Sequence, residues 1–206
     1  MNTGLAAAMI LRRPLTSRAA LANELEAQLY AMVANHRPSD FTAVKERHVI
    51  DTLIEELASL EAPWKEEQLS GTWRLSYLQL GPTGVGVDRR IPFPEFPGND
   101  SYQVFGKATV TNIGEVLGPK LCVRVKGSLE EENISQQRSP KRFRADINRG
   151  EVCVGGSAGI PNGGMCAPLP ISGVGYFDGI YLGESLRIGQ NLNGGGARIV
   201  QVRVVS

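Results

Sequence analysis

The hydrophobic pattern of the chain changes at Gly71, from a helical repeat before it to an alternating repeat after it. Upstream, apolar residues recur at steps of three and four, which predicts two amphipathic helices. Pro38 ends the first helix, Pro63 ends the second, and Ser39 or Asp40 can cap the second. We expect the pair to pack on the body of the fold, with docking of a partner or a lipid surface as the alternative. The two apolar stripes consist of Leu21, Leu25, Leu29, Met32 and Val33, then Ile50, Leu53, Ile54, Leu57 and Leu60.

Downstream of Gly71, apolar and polar residues alternate in short runs, as they do in half-buried β-strands. The 24 glycines and 12 prolines supply turns, and no long helical pattern interrupts the runs. This spacing favours an antiparallel sandwich or barrel with neighbouring strands paired, and a barrel of about eight strands has room for one small ligand. The candidate strands lie near residues 71–79, 101–111, 121–126, 141–148, 151–155, 171–178, 180–189 and 200–204.

The stretch LSGTWRLSY at residues 69–77 joins the helical part to the alternating part. Gly71 tolerates backbone angles that a residue with a Cβ resists, so the chain can turn there. Strand alternation then places Trp73, Leu75 and Tyr77 on one face, where they would form one wall of a pocket. A buried Trp at the start of a strand is also common in a simple core, so the motif alone leaves both interpretations open.

Composition limits the classes of protein that the chain can belong to. Its 206 residues and 42% apolar content suit one domain with a real core, and a net charge of +1 gives no signal for nucleic acid. The three cysteines, Cys122, Cys153 and Cys166, are odd in number and lack C-x-x-C spacing. We therefore predict reduced structural thiols, with neither a disulfide framework nor a metal site.

The first 23 residues contain Arg12, Arg13 and Arg18, several small residues and no acidic residue. This bias is typical of an organelle transit peptide, and a flexible tail is the alternative. Two later segments are expected to be rims: residues 81–98, which carry Phe93 and Phe96 among prolines, and the glycine-rich residues 155–164. The phenylalanines would cap a pocket, dip into a membrane interface or cover the core. The glycines lack the Gly-Lys-Ser/Thr ending of a nucleotide-binding loop.

Residues suited to catalysis are few. The chain has no Gly-x-Ser-x-Gly motif, and both histidines, His36 and His48, lie in the helical part. Asp178 and Glu184 lie close together around a turn, where we expect a structural role. We therefore expect neither an enzyme nor a cofactor.

Three ordered blocks resemble the plastid lipid-associated proteins, also called fibrillins. They are residues 69–77, then Tyr102 and Gln103 followed by VTNI at 110–113, then FDGIYLGESLRI at 177–188. The family commonly has Asp where Gly183 stands, and Arg-Gly where residues 190–191 stand. The similarity covers about residues 20–205. Its motif residues, to which we assign structural roles, are Gly71, Trp73, Asn112, Asp178, Tyr181, Glu184 and Arg187.

The resemblance implies a mainly β fold, an antiparallel lipocalin-like β-barrel of about eight strands with an N-terminal helical pair. The expected divisions are a tail at 1–18 and one domain at 19–206, with helices at 19–62 and the barrel at 69–205. It also implies a plastid protein of plastoglobules, thylakoids or stroma that is associated with carotenoids, quinones, prenyl lipids or acyl lipids. In such barrels an arginine from a late strand covers the Gly-x-Trp indole, a role that would fall to Arg187 over Trp73.

Our working hypothesis is non-catalytic binding of a hydrophobic molecule inside the barrel, with a possible membrane or plastoglobule surface as a further partner. The first alternative is a scaffold with a filled barrel that binds a protein partner through its helices or the Phe93/Phe96 loop. The second is a lipid-modifying enzyme with an acidic or nucleophilic group inside. The expected ligand-binding wall consists of Tyr77, Tyr102, Phe105, Val123, Val125, Phe143 and Tyr176.

Overall fold

The computed structural model describes residues 17–37, 46–79, 99–132, 137–155, 164–193 and 195–204. Within these ranges the chain forms two α-helices and nine β-strands. The helices are α1 (Arg18–Val33) and α2 (Arg47–Ser59). The strands are β1 (Gly71–Gln79), β2 (Ser101–Phe105), β3 (Thr109–Glu115), β4 (Leu121–Glu131), β5 (Lys141–Val154), β6 (Met165–Leu169), β7 (Gly173–Leu182), β8 (Leu186–Asn191) and β9 (Arg198–Arg203).

Eight of these strands close into an antiparallel barrel, which confirms the predicted fold class. The order around the barrel is β4, β3, β2, β1, β9, β8, β7, β5, and β5 pairs again with β4. Strand β6 lies outside the closed ring because the long β5 pairs with β7 through its first half and with β6 through its second.

The helices cover one side of the barrel. The hydroxyl of Ser17 caps α1 by accepting the amide of Ala20 at 3.2 Å. The two apolar stripes pack against each other and on the outer face of β1, β7, β8 and β9, as expected for a pair that belongs to the body of the fold. Helix α2 begins at Arg47, and the cap predicted at residues 39–40 lies outside the described residues. Among the described helices, none combines the length and the apolar character needed to cross a membrane.

The helical cover determines which faces of β8 and β9 point into the barrel. Their apolar side chains, Ile188 and Val200 among them, face outward into the core shared with the helices. The alternating polar residues Arg187 and Gln201 therefore face inward, and both are buried. Apolar alternation in these strands thus identifies the buried face but not the barrel interior.

A β-bulge in β1 separates two residues that the sequence places on one face. The register with β9 shifts between Leu75 and Tyr77, so Leu75 lies opposite Gln201 and Tyr77 opposite Val200. Tyr77 consequently packs against the helices, where its hydroxyl donates to Asp51 Oδ1 at 2.8 Å. The prediction that Tyr77 forms part of a pocket wall is wrong, because the extra residue of the bulge reverses the alternation.

Two of the three cysteines form a disulfide bond, which corrects the prediction of reduced thiols. Cys153 on β5 lies opposite both Cys122 on β4 and Cys166 on β6. The bond joins Cys153 to Cys166, and the buried Cys122 takes no part in it. Spacing along the chain gave no sign of this bond because the pairing depends on the register between strands.

Candidate ligand-binding cavity

We call the end of the barrel where β2, β4, β7 and β9 begin its upper end. The upper half of the barrel encloses a cavity of about 620 Å³, which opens at that end. Its apolar lining includes Leu75, Val123, Val125, Ile147, Ile171 and Ile199. Its polar lining includes Ser101, Gln103, Asn112, Glu115, Ser172 and Gln201. A mostly apolar wall with a few polar groups is typical of sites for small molecules.

Small residues on β7 create part of this space. Gly173 and Gly175 lie on the inward face of the strand, opposite Ile147 and Ala145 of β5. A Cβ added to either glycine would meet no atom within 4 Å. Glycine inside a strand weakens pairing and often marks close approach of a ligand, so these two positions are a sequence signal that the wall prediction missed.

The lower half of the barrel is filled by aromatic side chains, which we call the aromatic floor: Trp73, Phe105, Phe143 and Phe177. Phe143 stacks on Phe177 with ring centroids 5.2 Å apart, and Phe105 lies 6.3 Å from Phe177. Trp73 is fully buried, and its indole nitrogen donates to the Leu69 carbonyl at 2.8 Å. The floor closes one end of the barrel.

The cation over the Trp73 indole is Arg203 and not Arg187, at 4.1 Å from the ring centroid. Arg203 also donates to the carbonyls of Glu184 at 2.7 Å and Ser70 at 3.0 Å, so it ties the end of β9 to the turn before β8 and to the start of β1. Gly71 has a φ of 125° beside this guanidinium, as its predicted role in the turn requires. The assignment of Arg187 to this position is wrong, because the strand register puts Arg203 opposite Trp73 and puts Arg187 opposite Gln201, two residues before Arg203 on β9.

Arg187 lies between the aromatic floor and the cavity. Its guanidinium is 4.4 Å from the Phe105 ring centroid and 5.7 Å from that of Phe177. The side chain is only 1% exposed, and neither Nε nor Nη1 has a hydrogen-bond partner in the part of the chain that the structure describes. Burial lowers the pKa of Arg187 to about 9, because the charged form has lost its hydration.

Two glutamines lie near the base of the same cavity. Gln201 is the cross-strand neighbour of Arg187, and its buried Oε1 has no partner among the described residues. Gln103 Nε2 donates to Asn112 Oδ1 at 2.9 Å, while Gln103 Oε1 likewise has no described partner. Since buried polar atoms are normally hydrogen-bonded, this layer of unmet donors and acceptors indicates a site for a polar group.

The structure divides the seven expected wall residues into three groups. Val123 and Val125 line the cavity, whereas Tyr102 touches its edge and the ring packs with Ile113 on the outer face of the barrel, because strand alternation points Gln103 inward and Tyr102 outward. Phe105 and Phe143 face inward but belong to the floor. Tyr77 and Tyr176 are not among the lining residues: Tyr77 faces the helices, and Tyr176 pairs with Arg144 on the face opposite Phe177.

A buried carboxylate from α1 holds the turn between β7 and β8. Glu26 accepts hydrogen bonds from the Tyr181 hydroxyl at 2.8 Å, the Ser185 amide at 3.0 Å and the Leu186 amide at 3.1 Å. A Cβ at Gly183 would collide with this carboxylate. The glycine that stands where the resembled family commonly has Asp therefore makes room for an acidic group supplied by the helix.

The remaining acidic and cysteine groups lie away from the cavity lining. Asp178 accepts two hydrogen bonds from Arg142, at 2.8 and 3.0 Å, and neither Asp178 nor Glu184 lines the cavity. Glu151, Cys153 and Cys166 bring potential metal-ligating atoms within 4.8 Å of one another, but the disulfide bond occupies both sulfurs. Phe93, Phe96 and residues 156–163 of the glycine-rich segment lie outside the described residues.

Comparison of the chain with family models, with curated proteins and with solved structures gave no match.

Proposed function

We propose that this protein binds a hydrophobic small molecule in its barrel without chemically changing it. The observation that carries the proposal is the cavity of about 620 Å³ with mostly apolar walls above a closed floor. Removal of apolar surface from water contributes about 25 cal/mol per Å², so an elongated apolar molecule gains affinity from burial alone. The unpartnered polar atoms at the base would fix its orientation.

The two alternative functions have less support. A scaffold with a filled barrel needs a solid interior, and the aromatic floor fills only the lower half. A lipid-modifying enzyme needs an acidic or nucleophilic group inside the cavity, and Ser101, Glu115 and Ser172 line it. Glu115 already accepts the Asp100 amide at 2.9 Å, and neither described histidine lines the cavity.

The resemblance to plastid lipid-associated proteins narrows the proposed ligand to carotenoids, quinones, prenyl lipids or acyl lipids. By the same resemblance, the proposed location is the plastid, at plastoglobules, thylakoids or in the stroma. This part of the proposal depends on the three sequence blocks, whereas the proposal of hydrophobic binding depends on the cavity.

Titration with a carotenoid, plastoquinone and a fatty acid, followed by intrinsic tryptophan fluorescence, tests the binding. We expect at least one class to change the emission saturably, because Trp73 lies in the floor of the site. Gly175→Leu should abolish that change by filling the cavity, without a clash at its Cβ. Tyr176→Leu, on the outward face of the same strand, is the matched control and should bind normally. Failure of all three classes to bind the wild type would overturn the proposal.

A further inference from the structure

We infer that the ligand is an amphiphile with a single negative charge, and that Arg187 binds its carboxylate head group at the base of the cavity. This inference rests on the proposed function and specifies the class of ligand. Under it, the apolar tail points toward the open end, between Val125 of β4 and Gly175 of β7.

Burial of Arg187 is the first argument. A guanidinium always needs acceptors when it is taken out of water, and an unpaired buried charge is among the most costly arrangements in a protein. Arg187 is 1% exposed and forms no ion pair with any acidic group in the described parts of the chain. The rings of Phe105 and Phe177 offer a partial substitute, since the face of an aromatic ring attracts a cation. They leave the N–H donors of Nε and Nη1 without an acceptor among the described residues.

The position of the guanidinium relative to the cavity is the second argument. The Arg187 side chain extends along the inside of β8 toward Gly189, where an added Cβ would lie 2.9 Å from its Nη2. Gly189 pairs with Ile199, and Arg187 pairs with Gln201. Both partners line the cavity. Arg187 is not itself a lining residue, so the cation lies just beneath the cavity, where the apolar walls end and the floor begins.

The chemistry of these groups selects a carboxylate among anions. A guanidinium offers parallel N–H groups that match the two oxygens of a carboxylate. One buried cation neutralises one negative charge, whereas a phosphate monoester would bring a second charge into an apolar site. Glu115, the acidic residue among the lining, already accepts the Asp100 amide at 2.9 Å.

The test compares ligands that share one tail and differ in their head group: laurate, dodecanol and dodecylamine. Hydrogen bonds to a charged group contribute about 1.5–3 kcal/mol, so laurate should bind the wild type roughly 10- to 100-fold more tightly than dodecanol. Dodecylamine should bind more weakly than dodecanol. Equal affinities for laurate and dodecanol would overturn the inference but leave the proposed function standing, whereas failure of every ligand would count against the proposed function itself.

Substitution of Arg187 tests whether this residue causes the preference for laurate over dodecanol. Arg187→Met keeps an apolar stem of similar length, and it should remove the preference for laurate, so that the ratio of the laurate and dodecanol affinities falls to about one. Arg187→Lys should retain part of the preference. If Arg187→Met still prefers laurate to the same extent, Arg187 is not the head-group site.

If the Arg187 variants do not fold, a measurement on the wild type tests whether the bound carboxylate lies beside a buried cation. The infrared carboxylate stretch of bound laurate is followed as the pH is lowered. Bound next to a buried cation, the head group should remain ionised to a lower pH than free laurate. Protonation at the same pH as free laurate would overturn the inference.

Discussion

The two halves of the barrel interior are built from the same strands but filled in opposite ways. On β5 the floor residue is Phe143 and the cavity residue is Ile147. On β7 the floor residue is Phe177, and the cavity residues are Gly173 and Gly175. A large ring near one end of a strand and a small residue near the other leave one half solid and the other open. The barrel therefore combines a stabilising core with a binding site along a single axis.

The largest expected effect comes from opening the floor. Phe143→Ala removes a ring that stacks on Phe177 and lies 5.7 Å from Trp64, and it should lower the free energy of unfolding by about 3–5 kcal/mol. Val125→Ala only enlarges the existing cavity, so it should lower the free energy of unfolding by roughly 1 kcal/mol. Urea unfolding of both variants measures the contrast. Equal losses would contradict the division of the interior into a packed half and an open half.

The turn between β7 and β8 that Glu26 holds lies at the closed end of the barrel. We expect substitutions there to lower the free energy of unfolding nearly as much as substitutions in the aromatic floor. Gly183→Asp displaces the Glu26 carboxylate from its hydrogen-bond donors and should lower the free energy of unfolding by about 2–4 kcal/mol. In a Glu26→Ala background the same substitution should cost much less, because the new carboxylate takes over those donors. A double-mutant cycle gives the coupling. Simple additivity of the two losses would show that the two side chains do not compete for this site.

At the open end, the Cys153–Cys166 disulfide restrains the structure as Glu26 does at the closed end. Cys166→Ser removes this covalent link between β6 and β5. Because only 13 residues separate the two cysteines, the free energy of unfolding should fall by no more than about 3 kcal/mol. Reduced wild type is the matched control and should be equally destabilised. Native tryptophan emission should be unchanged in both, since the floor is distant from β6. A changed emission spectrum would indicate that the two ends are not independent.

Alkaline pH should produce the smallest effect, through two buried tyrosines. Burial and a hydrogen-bonded carboxylate raise the pKa of Tyr77 and of Tyr181 above the ordinary value. The folded state therefore retains protons that the unfolded state loses above pH about 10, and stability falls as the pH rises beyond that point. Tyr77→Phe and Tyr181→Phe should each flatten this fall in pH-dependent unfolding. An unchanged slope in both variants would contradict the assignment.

The sequence predicted the elements better than the directions of their side chains. The period change at Gly71 indicated helices followed by strands, and the spacing of strands indicated an antiparallel sandwich or barrel, because both depend on local patterns. The inward faces of β8 and β9 could not be predicted, since an external helical cover buries Ile188 and Val200. The bulge that turns Tyr77 outward and the register that aligns Cys153 with Cys166 are properties of strand pairing, and a single chain segment does not reveal them.

At the candidate site, the sequence likewise did not reveal where the Arg187 side chain points or what it contacts. Its motif was visible in the sequence, but a resemblance assigned it to the indole that Arg203 covers. The unpartnered donors that make it a candidate for ligand binding became visible only in three dimensions. The glycines at 173 and 175 were a usable signal, because two glycines on one face of a strand leave room that no neighbour fills.

Xenon binding in crystals shows whether the upper half of the barrel is open, because xenon enters apolar cavities whatever the natural ligand is. We expect xenon sites among Val125, Ile147 and Ile199 in the wild type, and their loss in Gly175→Leu. No xenon inside the wild-type barrel, with side chains filling the space above Arg187, would contradict this expectation.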